Sequence, residues 1–118
     1  MTINEQGGAK IIVNDFVDNG VTVPDPSNVG KYYLTSFSST EFAISYDAST
    51  QFFTIALQQE PIGHARLDAQ QYLQQALGIS QNQLCYLNYY LGTDDHTSDT
   101  YAGKNLGFSF CPGATALP

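Results

Sequence analysis

Phe42-Ala-Ile-Ser-Tyr-Asp-Ala-Ser-Thr-Gln-Phe-Phe-Thr-Ile-Ala-Leu57 is the stretch on which the fold turns. Phe42, Ile44 and Tyr46 alternate with small or polar residues, Asp47-Ala-Ser-Thr50 carries turn chemistry, and Phe53, Ile55 and Leu57 resume the alternation. A period of two on both sides of a turn predicts a β-hairpin with one apolar face. Directly behind it, Pro61 suits the first helical position. Ile62, Ala65, Ala69, Tyr72, Leu73, Ala76 and Leu77 then recur at helical spacing up to a stop at Gly78. A helix with one apolar stripe beside a hairpin with one apolar face buries both by packing them together. The expected class is therefore α+β, an antiparallel sheet with one main amphipathic helix packed on a face. A doubly wound parallel sheet needs repeated helical crossovers, which this order of elements lacks.

Outward from that centre the signals are shorter. Upstream, residues 10–17 are rich in β-branched side chains and read as a first strand stopped by Asp18-Asn-Gly20. Residues 23–30 read as a loop dense in Pro, Asx and Gly, and residues 32–35 as a short strand. Downstream, a Ser80/Gln83 capping box leads into a strand over 85–91. A long loop over 94–104 follows, then a last strand over 106–111 before the Pro112-Gly113 break. The polar residues 1–9 are expected to be a flexible linker, residues 10–113 a single α+β domain, and residues 114–118 a tail. There is no internal repeat.

Composition narrows the function classes. The 118 residues include 15 charged ones against 36 Gln, Asn, Ser and Thr, so the surface is polar mainly through amides and hydroxyls. Fifteen aromatic residues exclude wholesale disorder. The net charge of −7 leaves only Lys10, Lys31, Arg66 and Lys104 as strong bases, scattered singly. That pattern offers no footprint for a phosphate backbone, so nucleic acid is not an expected partner. No apolar run is long enough to cross a membrane.

The two cysteines, Cys85 and Cys111, lack metal-ligand spacing, and each stands at the end of a β-like run. Adjacent antiparallel strands would bring them together as a disulfide and place the domain in an oxidising compartment; two buried free thiols are the cytosolic alternative. On the disulfide reading the chain is expected to be an extracytoplasmic domain, and the polar, Gly-ended lead Met1-Thr-Ile-Asn-Glu-Gln-Gly-Gly8 is consistent with a membrane anchor upstream.

Four groups of residues are candidates for chemistry. Asp94, Asp95 and Asp99, with His96 among them, carry enough oxygen for a loose calcium site, yet they lack EF-hand spacing and a solvated loop is the ordinary reading. Arg66 falls inside the apolar arc of the helix. Its stem is expected to pack on aromatics while its guanidinium pairs with a carboxylate or carbonyl, and the functional alternative makes it the anion anchor of a ligand pocket. A cysteine paired with His64 or His96 would make a thiol nucleophile, but neither cysteine has neighbours that lower its pKa. Tyr86, Asn88 and Tyr90 share one face of the 85–91 strand while Leu87, Tyr89 and Leu91 share the other, so the first face is a candidate contact surface. Cross-strand packing within the sheet accounts for the same tyrosines without a partner. The common catalytic signatures are absent and no cofactor is implied.

Three segments carry a resemblance: Asp15-Phe16 with Asp25-Pro-Ser-Asn-Val-Gly-Lys-Tyr-Tyr-Leu34, Leu77-Gly-Ile-Ser80 with Cys85-Tyr-Leu-Asn-Tyr89, and Tyr101-Ala-Gly-Lys-Asn-Leu-Gly-Phe-Ser-Phe-Cys-Pro-Gly113. Together they resemble uncharacterised bacterial membrane-anchored envelope proteins whose soluble domain ends in a Leu-Gly-x-Ser-Phe-Cys-Pro-Gly pattern. The resemblance implies an envelope location and carries no catalytic residue or ligand. The expected function is a non-catalytic binding or assembly module contacting another envelope protein or polymer through a Tyr, Asn and Gln face. The alternative is a small-ligand binder or enzyme with a pocket between helix and sheet, using Arg66 or the loop from Asp94 to Asp99.

Overall fold

The structure, a computed structural model, describes residues 1–17, 22–34 and 41–118. Its elements in chain order are β1 (Thr2–Asn4), β2 (Lys10–Ile12), β3 (Val23–Pro24), β4 (Lys31–Tyr33), β5 (Phe42–Asp47), β6 (Phe52–Leu57), α1 (Ile62–Leu77), the helical turn α2 (Gln81–Leu84) and β7 (Tyr89–Thr93). The strands form a two-stranded β1-β2 ribbon and a five-stranded sheet of order β3-β4-β5-β6-β7. The expected α+β class holds, with α1 packed on β5 and β6.

The decisive hairpin forms as its alternation dictates. Phe42, Ile44 and Tyr46 on β5 and Phe53, Ile55 and Leu57 on β6 are all buried, and the register pairs Ile44 with Ile55 and Tyr46 with Phe53. At the turn, Asp47 Oδ1 accepts from the Ser49 N–H at 2.9 Å, an Asx-type bond that bends the chain. Phe16 closes the aromatic centre, its ring 4.9 Å from that of Tyr46. Burial pushes the Tyr46 phenol up to about 12. From the helix, Ile62, Ala65, Ala69, Leu73 and Leu77 face this core, and Gly78 ends α1 in the left-handed region (φ 67°) with its N–H on Gln74 O. Pro61 is the residue before the first helical position rather than that position itself.

Several further expectations need correction. First, residues 1–9 are no flexible linker: β1 pairs with β2, Ile3 opposite Ile11, and both isoleucines are buried in the common core. The polar composition of the segment hides one apolar residue that points inward. Second, the sheet is not wholly antiparallel, because β7 runs parallel to β6, with Ile55 opposite Leu91. The connection between them contains α1, which carries the chain back across the sheet as parallel neighbours require. Third, Cys85 does not open a strand. The Ser80/Gln83 capping box is present and starts α2, whose C-terminal boundary is Cys85 itself. β7 begins only at Tyr89.

Fourth, residues 106–111 form no strand, although Leu106 and Phe108 are buried as the alternation suggests. Gly107 takes a positive φ of 75°, which breaks extended geometry. The tail is likewise docked: Thr115 N donates to Leu106 O at 2.9 Å, and Leu117 packs against the core. The expected stop at Asp18-Asn-Gly20 and the end of the 32–35 strand at Thr35 lie in part or wholly outside the described residues.

Candidate functional site

The disulfide is the first expected feature to be placed. Cys85 at the end of α2 and Cys111 in the C-terminal segment are bonded, with Cα atoms 5.6 Å apart. No free cysteine remains, so the bonded form offers no thiol nucleophile to His64 or His96. The bond joins a helical turn to an irregular segment, not two adjacent strands.

Arg66 and Gln70, one turn apart on α1, are both buried and act as a pair. Arg66 donates through Nη1 to Thr115 O at 2.7 Å and to Gly107 O at 3.3 Å. Gln70 donates from Nε2 to Ser109 Oγ at 2.6 Å and accepts from Ser109 N at 3.0 Å. Together they hold the stretch from Gly107 to Thr115 against the helix. Arg66 Nε is buried and makes no hydrogen bond among the described residues. Burial lowers the guanidinium pKa. A depression of about 350 Å³ reaches Arg66, but it lies between α1 and the tail, walled largely by Pro61, Gly63, Leu67, Leu117 and Pro118, not between helix and sheet. The carbonyl-paired account of Arg66 is the one its geometry matches.

The expected contact face divides. Tyr86 is 53% exposed, Leu87 and Leu91 are buried, and Asn88, Tyr89 and Tyr90 are all half-buried, so the two faces are not cleanly separated. Tyr86, however, stands before β7 and lines a depression with Gln6, Asn82 and Pro112. Asn88 is spent internally, donating from Nδ2 to Asn4 O at 3.3 Å. Of the three expected contact residues, only Tyr90 lies on the open face of the five-stranded sheet. There the register sets Tyr33, Ser45, Thr54 and Tyr90 side by side in one row and Ala43, Ala56 and Gly92 in the next. The Tyr90 ring lies across Gly92, so that a Cβ at position 92 would sit 2.6 Å from Tyr90 Cε1. Beside the ring is a shallow depression of about 190 Å³ walled by Thr54, Ala56, Gln58 and Asp94.

The acidic loop does not assemble. Asp94 Oδ1 accepts from Thr97 N at 2.8 Å, and that bond is the main cause holding its carboxyl below the usual range. Asp94, Asp95 and Asp99 are not among the converging ligand groups found in the described residues. Among the described residues, the group that does converge is Glu41, His64 and Asp68. His64 Nδ1 is 2.5 Å from Glu41 Oε1 and 3.5 Å from Asp68 Oδ2. The hydrogen bond to Glu41, then the charge of Asp68, raises the His64 pKa. His64 and Asp68 are four apart on a helix, a visible pairing signal. Glu41 joins them only because β5 begins beside the start of α1.

Comparison with protein-family models, with curated proteins and with solved structures finds no match. Among the described residues, no helix is long and apolar enough to cross a membrane.

Proposed function

We propose that the chain is a non-catalytic, extracytoplasmic binding module that contacts another protein or polymer of a cell envelope through the open face of its five-stranded sheet. The observation that carries this reading is the Tyr90 ring resting across Gly92. A glycine there leaves the phenol free to lie along the sheet instead of standing off it, giving an apolar plane bordered by Thr54, Gln58 and Asp94. Tyrosine presented beside amides and hydroxyls combines contact area with hydrogen bonding at a small entropy cost. Tyr33 and Phe52, 37% and 38% exposed, extend the aromatic content along the strands of the same sheet. Among the described residues, the opposite face is packed with core side chains beneath α1.

An oxidising compartment is the setting in which the Cys85–Cys111 bond persists, and the resemblance to anchored envelope proteins supports the same location. The alternative, a ligand pocket at Arg66, has the 350 Å³ depression in its favour and the commitment of Nη1 to two carbonyls against it. Amide-shift mapping with soluble cell-wall glycan fragments and with envelope-protein peptides separates the two. The proposed reading expects shifts at Tyr33, Thr54 and Tyr90 that Tyr90→Ala abolishes. Shifts confined to Arg66 and its neighbours would move the function to the pocket, and no shift with any of these probes would overturn the reading.

A further inference from the structure

We propose that Glu41, His64 and Asp68 form a binding site for a zinc-class divalent cation, bridging the start of β5 to the first turns of α1. The donor atoms already sit near the spacing such an ion needs. Two ligands each about 2.1 Å from a zinc ion and about 90–110° apart at it lie about 3.0–3.4 Å from one another. The two imidazole-to-carboxylate separations, 2.5 and 3.5 Å, bracket that value, and all three donor atoms lie within 4.8 Å. His64 and Asp68 share one helix face while Glu41 comes from a neighbouring element, so the ligands approach the ion from different directions.

Charge points the same way. Two carboxylates face one imidazole, so the group is net negative in either protonation state of His64. The four stronger bases are placed elsewhere: Lys10 on Asn4 Oδ1, Lys31 over the Tyr33 ring, Lys104 over the Tyr101 ring, and Arg66 on backbone carbonyls. None of those four bases lies on the two carboxylates, whose own partner is the His64 imidazole. The donor set also sorts the metals, since an imidazole nitrogen with carboxylate oxygens suits zinc, nickel or cobalt, whereas calcium and magnesium prefer oxygen alone. The His64 side chain is 64% exposed, which leaves room for water in the remaining coordination positions. The site therefore ties two elements together and does not by itself imply catalysis.

The test titrates zinc chloride into the oxidised full chain at mildly alkaline pH, following the His64 ring resonances and the thermal midpoint. Zinc is expected to shift the His64 ring signals and to raise the midpoint in the native chain. Glu41→Gln, His64→Gln and Asp68→Asn should each weaken binding at least about tenfold, since loss even of a supporting partner costs that much at metal sites. His96→Gln, which alters the other histidine, should leave binding unchanged. Circular dichroism verifies that each variant is folded, and the three substitutions give independent readings should one fail to fold. Native-strength zinc binding in His64→Gln, a response that vanishes with His96→Gln, or equal competition by calcium would each overturn the proposal. So would unchanged His64 resonances at millimolar zinc.

Discussion

Asn105 takes the place of a neighbouring strand beside Leu91. Its Oδ1 accepts from Leu91 N at 3.2 Å, its Nδ2 donates to Tyr89 O at 3.3 Å, and the next residue, Leu106, donates its N–H to Leu91 O at 2.7 Å. β7 would otherwise end the sheet with open hydrogen-bonding groups, the usual template for unwanted pairing. Asn105→Leu should cost about 1–3 kcal/mol through the backbone groups it leaves unpaired. Chemical denaturation measures that loss. Sedimentation at increasing protein concentration should show more self-association than the native chain does.

Arg66 and Gln70 predict a different kind of loss. Arg66→Ala should strip Thr115 O and Gly107 O of a donor, destabilising the domain by about 2–3 kcal/mol. Hydrogen exchange should quicken at Ser109 and Thr115 more than at Ile44 or Ile55. Equal acceleration everywhere would mean that the arginine stabilises the whole core instead of holding the C-terminal segment.

Reduction of Cys85–Cys111 should add two hydrogens to the intact mass and lower stability. The bond spans a sequence separation of 26, and on the chain-entropy model its removal costs roughly 3–4 kcal/mol. Denaturant midpoints with and without reductant check this. Equal midpoints would show that the covalent link adds nothing to contacts already made by Leu106 and Phe108.

Acid should destabilise the fold through three turn carboxylates. Asp25, Asp47 and Asp94 are held below their usual pKa by hydrogen bonds, chiefly from Ser27 N, the Ser49 side chain and Thr97 N respectively. A carboxyl depressed in the folded state contributes stability that is complete above its unfolded value of 3.8 and is lost as pH falls through the lower folded value. Thermal midpoints should therefore drop as pH falls below about 4. Asp47→Asn keeps an acceptor for Ser49 but cannot titrate, so it should flatten part of that slope.

Gly92→Ala tests the open sheet face. Its added Cβ would meet the Tyr90 ring at 2.6 Å, so the ring must lift away from the sheet. The fold should survive, because the obstructing atoms belong to a half-exposed side chain that can rotate. Tyrosine fluorescence should change while the unfolding midpoint moves by less than about 1 kcal/mol equivalent. Binding through this face should weaken as it does in Tyr90→Ala.

What could be read in the sequence followed the range of the interactions involved. Phe42, Ile44 and Tyr46 and the stripe from Ile62 to Leu77 repeat with the period of their own element, so strand and helix were legible one residue at a time. Cysteine parity made the Cys85–Cys111 bond legible, although neither cysteine stands in the strand invoked to join them. The direction of β7 was not legible, because it depends on where α1 delivers the chain, far from Leu91 in sequence. Ile3 was hidden in a polar lead, and its partner Ile11 becomes visible only once β1 and β2 pair. Glu41 belonged to no motif with His64 and Asp68 until the hairpin lay beside the helix. Asn88 read as a surface amide because nothing local foretells that Asn4 accepts from it.

The parallel rung between Ile55 and Leu91 also sets an order of assembly. The β5-β6 hairpin closes through the short turn after Asp47, whereas β7 can dock only after the whole passage through α1 has folded back, a costlier closure. Cys85 precedes β7, and Cys111 follows the Asn105–Leu106 segment that lies along its edge, so the native placement of the two sulfurs includes that docking. Thiol trapping during oxidative refolding should accordingly find protected β5 and β6 amides while both cysteines still react. That outcome would make the disulfide a latch on contacts the chain has already formed.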